Sequence, residues 1–475
     1  MKHAAVNPYL PLYEYIPDGE PRLFDGRVYV YGSHDTAGGD YFCQEDYVAW
    51  SAPEDDLGDW RYEGVTYRKD QDPSNPDGKL ELFAPDVVQG TDGRYYLYYC
   101  LRLLPEFGVA VSDSPAGPFT FYGHVQWPNG ATFADHMPYD PSVLVDDDGC
   151  VYLYYGFSSS MLAQRYHIEI SPGAMVVKLE QDMLTVKAAP KSCIPWEELA
   201  VGTSFEGHAY FEAPSMRKIK GKYYLIYSSQ WWHELCYAVS SRPDESFTYG
   251  GVIVDNTDIG FQGRTVPVCI PGNNHGGLVC VNDTWYLFYH RHTNTNAYSR
   301  QGCAEQVQVL PDGSIPQVEI TSCGLNGAPL PAKGEWPAAI SCQLYGALPE
   351  AMLDLPNLNR DTIPYITETG TGGPAPQQFI CNLQNGSVVG YKYFSFAAGV
   401  PATVVLWLRG AMQGMLSLCL DAPNTVPTAK GQLKVDTADW QPVTLVLPAG
   451  TKGTHSLYFC FAGAGRCDFL RFAFC

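Results

Sequence analysis

The chain is poor in positive charge: 30 Lys and Arg stand against 51 Asp and Glu over 475 residues, a net charge of −21. That balance excludes nucleic acid and anionic membrane as partners held by bulk electrostatics. No stretch approaches the length of an apolar membrane span, and the run from Thr403 to Leu408 reads as a short strand. The 15 cysteines include no CxxC pair and no clustered metal-ligand spacing. The N-terminal MKHAAVNPYLPLYEY lacks the apolar core of a secretory leader. Reduced, mostly buried thiols and a cytoplasmic location are therefore expected.

What the chain has instead is tyrosine, 33 of them, with abundant glycine and short apolar runs, the composition of a β-rich protein. Much of the tyrosine falls in one recurring phrase: FDGRVYVY from Phe24, TDGRYYLYY from Thr91, DDGCVYLYY from Asp147, KGKYYLIY from Lys220 and VNDTWYLFY from Val281. Each copy is a tight turn entering an alternating strand, and each follows an apolar or proline-marked strand, which together make a hairpin. With the short strands between copies, a unit holds about four strands, the content of one propeller blade. The expected fold is all-β: a five-bladed β-propeller over 1–325, a Pro/Gly-rich linker over 326–339, and a jelly-roll-like β-sandwich over 340–475.

In four of the units an acidic residue lies 9 to 12 residues before the phrase's anchor tyrosine (Tyr29, Tyr96, Tyr152 and Tyr224), at Glu20, Asp86, Asp140 and Glu212. Glu20, Asp140 and Glu212 lie beside or two before a proline, which favours extended backbone. If inner strands line the axis, these carboxylates share one pocket, where mutual repulsion separates their pKa values. One acid then stays protonated while another ionises, and two such groups across a glycosidic bond suffice for hydrolysis. Asp86 either holds a blade or lines the rim, and Asp146, Asp147 and Asp148 read as turn residues before Gly149.

The ordered elements NPYLP…GEPRLF, FAPDVV…DGRYYLYY, DPSVLVDDDG, FEAPSMRKIKGKYYLIYS and NNHGGLV resemble glycoside hydrolase family 43. The resemblance implies an inverting enzyme acting on xylosides and arabinofuranosides, with an oligosaccharide substrate and no cofactor needed for the chemistry. It implies Glu212 as general acid and Asp140 as the residue that tunes and orients that acid. The family usually has Asp-Pro at the general base, where this chain has Gly19-Glu20-Pro21. Either Glu20 is the base, or Asp18 takes over, or the function is impaired; Glu20 is the expected base. The resemblance also places His275 where a histidine faces a central, largely hydrated structural calcium through water. It makes Arg300 the arginine that touches sugar and carboxylates, and Phe83 an aromatic subsite wall. Trp231 and Trp232 follow the fourth repeat strand and offer faces for sugar stacking.

The C-terminal run GSVVGYKYF…DWQPVTLVLPAGTKGTHSLYFCFAGAGRCDFLRF resembles family 6 carbohydrate-binding modules, with Trp440 as a framework residue. No sugar-binding aromatic pair is evident there, so a structural role against the propeller is expected. The competing expectation, motivated by Glu20, is a non-catalytic carbohydrate-binding propeller.

Overall fold

The computed structural model describes residues 4–167, 169–369, 377–396, 401–423 and 425–475. Five antiparallel sheets are arranged around one axis and a mixed sheet follows. The first blade comprises Glu20–Phe24, Arg27–Tyr31, Tyr47–Pro53 and Arg61–Tyr67. The inner strands of the other four are Asp86–Gln89, Ser142–Val145, Tyr210–Ile219 and Leu278–Val281. Blades one to four have four strands each, whereas the fifth, among the described residues, has three. Gly19 bridges Gly276 in parallel, which joins the entry of the first blade to that of the fifth and closes the ring.

The recurring tyrosine phrase forms the second strand of every blade. Tyr31, Tyr98 and Tyr154 occupy equivalent positions, opposite Glu20, Asp86 and Ser142. Each hydroxyl donates to a carbonyl in the following blade: Tyr31 to Pro115 at 2.6 Å, Tyr98 to Met183 at 2.5 Å, and Tyr154 to Pro243 at 2.7 Å. The ring fills the space between blades and its hydroxyl satisfies a backbone acceptor, at about 1 kcal/mol net per bond. Blade four carries Ile226 at this position, and Tyr224, two residues earlier, reaches Gly313 instead.

The stretch expected as a linker is partly sheet. Leu330–Pro331 pairs in parallel with Val388–Phe396, and Gly334–Pro337 pairs with Gly453–Phe474. The sequence reads as several short strands beyond residue 400, but the structure runs them together into Thr403–Leu420, Ala429–Val446 and Gly453–Phe474. These long strands bend where Gly410 has φ 117°, and a Cβ there would lie 2.7 Å from the Arg466 carbonyl oxygen. The bend lets one sheet enclose its own core, including Leu406, Met412, Leu433, Phe459, Phe469 and Phe472. Among the described residues, no helix is long and apolar enough to cross a membrane.

The two domains interlock. Tyr15 donates to Glu368 at 2.9 Å, the Asn294 amide to the Ile366 carbonyl at 2.7 Å, and the Leu344 amide to the Val268 carbonyl at 2.7 Å. These contacts bring the segment before Ile366 against the propeller's fifth blade.

Candidate active site

Acidic side chains approach the propeller axis in two layers, two residues apart along the strands. A shift of two keeps a side chain on the same face and moves it by about 6.6 Å. The deeper layer holds Glu20, Arg22, Asp86 and Arg217. Arg217 Nη2 donates to Glu20 Oε2 at 2.7 Å, and its Nε to the Leu278 carbonyl at 2.6 Å. Arg22 Nε donates to Asp86 Oδ1 at 3.0 Å, and Asp86 Oδ2 accepts the Val143 amide at 2.8 Å. Glu20 is 1% exposed and Asp86 fully buried. Burial pushes the Glu20 carboxyl up, but Arg217 and Arg22 outweigh it and hold the group below its ordinary range. Gly277 leaves room for this network, since a Cβ there would lie 2.7 Å from Glu20 Oε2 and 2.9 Å from Arg217 Nη2.

The upper layer opens into a cavity of about 510 Å³ whose lining includes Asp18, Asp140, Glu212, His275, Phe83 and Arg300. Glu20 is absent from that lining: the expected base lies beneath it, paired to Arg217. Asp18 stands in its place. Trp231 is likewise outside, half exposed with its indole donating to the Gly207 carbonyl at 2.7 Å. Its neighbour Trp232, at φ 55°, lines the cavity. Asp86 holds blades together and does not reach the rim.

Left-handed backbone aims the carboxylates. Asp18 has φ 57° and Asp140 φ 49°, although Asp140 precedes a proline and extended backbone was expected there. Ala213, at φ 64°, follows Glu212 where the strand pairing slips between Glu212 and Ser215. The irregularity re-aims Glu212, and the Ala213 amide donates to Asp140 Oδ2 at 3.2 Å. Such conformations persist where surrounding contacts over-determine them.

The upper acids have divergent electrostatics. Burial pushes Asp18 up, but the Arg300 guanidinium, donating from Nη1 to Oδ1 at 2.9 Å, outweighs it and keeps the carboxyl below its ordinary 3.8. Arg300 is itself fixed by Asp35, which accepts from Nε at 2.9 Å and from Nη2 at 3.0 Å. Burial and the negative charge of Asp18 lift Glu212 to about 8. Asp140 also lies well above its ordinary range through burial and the charges of Glu212 and Asp18, with His275 opposing. Asp18 is therefore an ionised acceptor facing a protonated Glu212, the division of labour that general acid–base catalysis requires.

His275 sits between the layers. Its Nδ1 is 3.8 Å from Asp140 and 4.0 Å from Asp18, and its Nε2 is 4.0 Å from Glu20 Oε1. Glu20 Oε1 and Ser215 Oγ are buried without a hydrogen-bond partner among the described residues. Calcium takes six to eight oxygen ligands. Two unpartnered oxygens and one imidazole, beside the guanidinium that holds the other Glu20 oxygen, form no protein cage for calcium, so the expected ion would have to be largely hydrated and reached from His275 through water. Elsewhere His208, Glu234 and Cys236, and Asp72, Glu106 and His124, gather closely enough to share an ion; neither group lies in this cavity.

Phe83 lines the cavity as expected, but several neighbouring lining residues carry no sequence signal of their own. Phe83, Tyr139, Phe157 and Phe211 form a chain of aromatic contacts along one wall, with centroids 5.4, 5.0 and 5.5 Å apart. Tyr139 and Phe211 immediately precede Asp140 and Glu212, so ordinary strand alternation would point them away; left-handed Asp140 beside Tyr139, and the pairing slip between Tyr210 and Glu212 at Phe211, bring both into the cavity. His290 is fully buried, accepts the Asp18 amide at Nδ1 and is held neutral by burial.

The Glycosyl hydrolases family 43 model matches residues 25–315. A "Xylosidase/arabinosidase" of Thermoclostridium stercorarium is 44% identical over 484 residues, covering 100% of both chains. The GH43_1 enzyme from Xanthomonas citri, solved with xylose, is 26% identical with a TM-score of 0.54, covering 67% of this chain and 94% of that one. An arabinoxylan arabinofuranohydrolase from Bacillus subtilis, 20% identical with a TM-score of 0.51, covers 98% of this chain and 97% of its own, a likeness of fold across both domains. The chain belongs to glycosyl hydrolases family 43.

Proposed function

We propose that this chain is an exo-acting, inverting glycosidase that releases terminal xylose or arabinose from hemicellulose-derived oligosaccharides. The observation that carries the reading is the pairing, in one cavity, of an Arg300-bound Asp18 with a Glu212 lifted to about 8. Glu212 donates its proton to the leaving oxygen, while Asp18 accepts a proton from the water that attacks the opposite face of the sugar. Asp140, joined to the Glu212 strand through the Ala213 amide, orients and tunes the acid. The Glu20–Arg217 layer closes the cavity beneath the carboxylates, which suits a terminal sugar better than a chain passing through. The two sugars are those named for the Thermoclostridium relative, a xylosidase/arabinosidase.

The base role goes to Asp18 because it lines the cavity and Glu20 does not. That assignment removes the motive for a non-catalytic binding propeller, which rested on Glu20 standing where an aspartate was expected. In this reading the Trp440 face of the second domain is structural and does not hold sugar. Its Trp440 packs against Phe379 and lies under Arg409, 4.4 Å from guanidinium to ring, so that face is already occupied.

Proton NMR of the first sugar released from nitrophenyl xyloside tests the mechanism. The inverted anomer should appear first, and release with retained configuration would sink the water-attack scheme.

A further inference from the structure

The catalytic cavity is not built by the propeller alone. Leu355 and Arg360, both from the second domain, line it together with Asp18 and Glu212. They start the second and third of three short turns, Pro349–Leu353, Leu355–Asn357 and Arg360–Thr362. The turns are tied to their own sheet, where Asn382 donates to the Ile363 carbonyl at 2.7 Å and Gln384 to the Asp361 carbonyl at 3.0 Å. They are tied to the propeller through the Asn294 and Ile366 backbones, and Thr367 donates to Asn294 Oδ1 at 2.8 Å. Arg360 is thus held from both sides.

Its guanidinium differs from the other two in the cavity. Arg300 is saturated by Asp18 and Asp35. Arg102 has a buried Nε without a partner, but its charge is met by Glu81 at 3.3 Å and it lies over the Tyr41 ring. Arg360 Nη1 is buried with no hydrogen-bond partner among the described residues, and burial lowers its pKa. A desolvated donor left unsatisfied is costly, and a hydroxyl oxygen brought to it recovers that cost. Arg360 also borders a second cavity of about 350 Å³, lined by Thr295, Asp361, Asn382 and Asp468 among others, so the space beyond it is open and polar.

We propose that the second domain supplies the leaving-group subsite: Arg360 donates to hydroxyl oxygens of the departing sugar, and Leu355 covers its apolar edge. The proposal rests on the glycosidase reading, and on a floor that leaves the terminal sugar at the axis and its neighbour facing outward. The class of ligand is a neutral pentose unit linked to the sugar being released.

Two measurements test it. Arg360→Ala should lower kcat/KM on xylobiose about tenfold or more, the loss of a charged hydrogen bond, and leave nitrophenyl xyloside, which has no leaving sugar, nearly unchanged. Equal loss on both substrates, or loss on neither, would overturn the subsite. Whether wild type cleaves the aryl glycoside at all reports separately on the glycosidase reading. The second measurement needs no turnover: in a Glu212→Ala background, calorimetry should show Arg360→Ala weakening xylobiose but not xylose. Equal weakening, or none, would contradict the assignment independently of any activity.

Discussion

The two carboxylate layers on the propeller axis use the same strands and similar residues, yet they do different work. In the deeper layer every acid has a cation: Glu20 has Arg217 and Asp86 has Arg22. In the upper layer Arg300 pairs with Asp18 and with Asp35 behind it, while Glu212 and Asp140 form no ion pair with it and face like charge in a buried wall. Pairing consumes a carboxylate's electrostatics in holding blades together. Leaving acids unpaired beside one that is held ionised pushes their pKa values apart. Two residues along a strand separate a girder from a reaction centre.

The sharpest way to break the comparison is to remove the acid of the upper layer. Glu212→Ala should cut kcat on xylobiose about a thousandfold and on activated aryl glycosides only about tenfold, because proton donation matters less for an acidic leaving group. Equal losses would mean that Glu212 does not protonate the leaving oxygen.

A smaller effect comes from the charge that poises Asp18. Wild-type kcat/KM should fall as pH rises through about 8, where Glu212 loses its proton. On the acid side it should hold until pH drops below the ordinary 3.8 of an aspartate, because Arg300 keeps Asp18 ionised. Arg300→Met removes that charge from a buried carboxyl, so the acid limb should move to higher pH; Arg300→Lys should keep it low. A pH–rate series on the three proteins checks the sign, and an unmoved acid limb in Arg300→Met would detach Asp18 from it.

The smallest effect concerns metal. With guanidinium groups in the deeper layer and few free protein oxygens beside His275, an ion there would be held mainly through water and take no part in the chemistry, so exhaustive EDTA treatment should change activity by less than about twofold. Loss on chelation with recovery on adding calcium would show that the axis binds the ion after all.

How much of this could be read in the sequence follows from the same two layers. The tyrosine phrases mark second strands because alternation and turn chemistry are local, and they set the blade count. The acids were harder. Glu20 and Asp86 precede their tyrosines by 9 and 10 residues, Asp140 and Glu212 by 12, and Asp18 by 11. That spread separates the layers, but Pro21 beside Glu20 imitates Pro141 beside Asp140, and the imitation pointed to Glu20, which lies in the deeper layer outside the cavity lining. Trp231 and Trp232 could not be told apart because the left-handed Trp232 reverses ordinary alternation. Asp35 lies beyond the second strand of blade one, outside the repeated phrase, and its role appears only through Arg300. Leu355 and Arg360 come from another domain, and no local pattern announces a contact made across an interface.

The central claim is that Asp18, and not Glu20, serves as the base. Its most direct test sets Asp18→Asn beside Glu20→Gln, measuring kcat on nitrophenyl xyloside and the melting temperature of each. Asp18→Asn should lose about a thousandfold in kcat while melting close to wild type. Glu20→Gln leaves Arg217 as a buried charge without its counter-ion, so it should melt about 5 °C or more lower yet keep kcat within about threefold when folded. The opposite pattern, with kcat collapsing in Glu20→Gln and surviving in Asp18→Asn, would contradict the account.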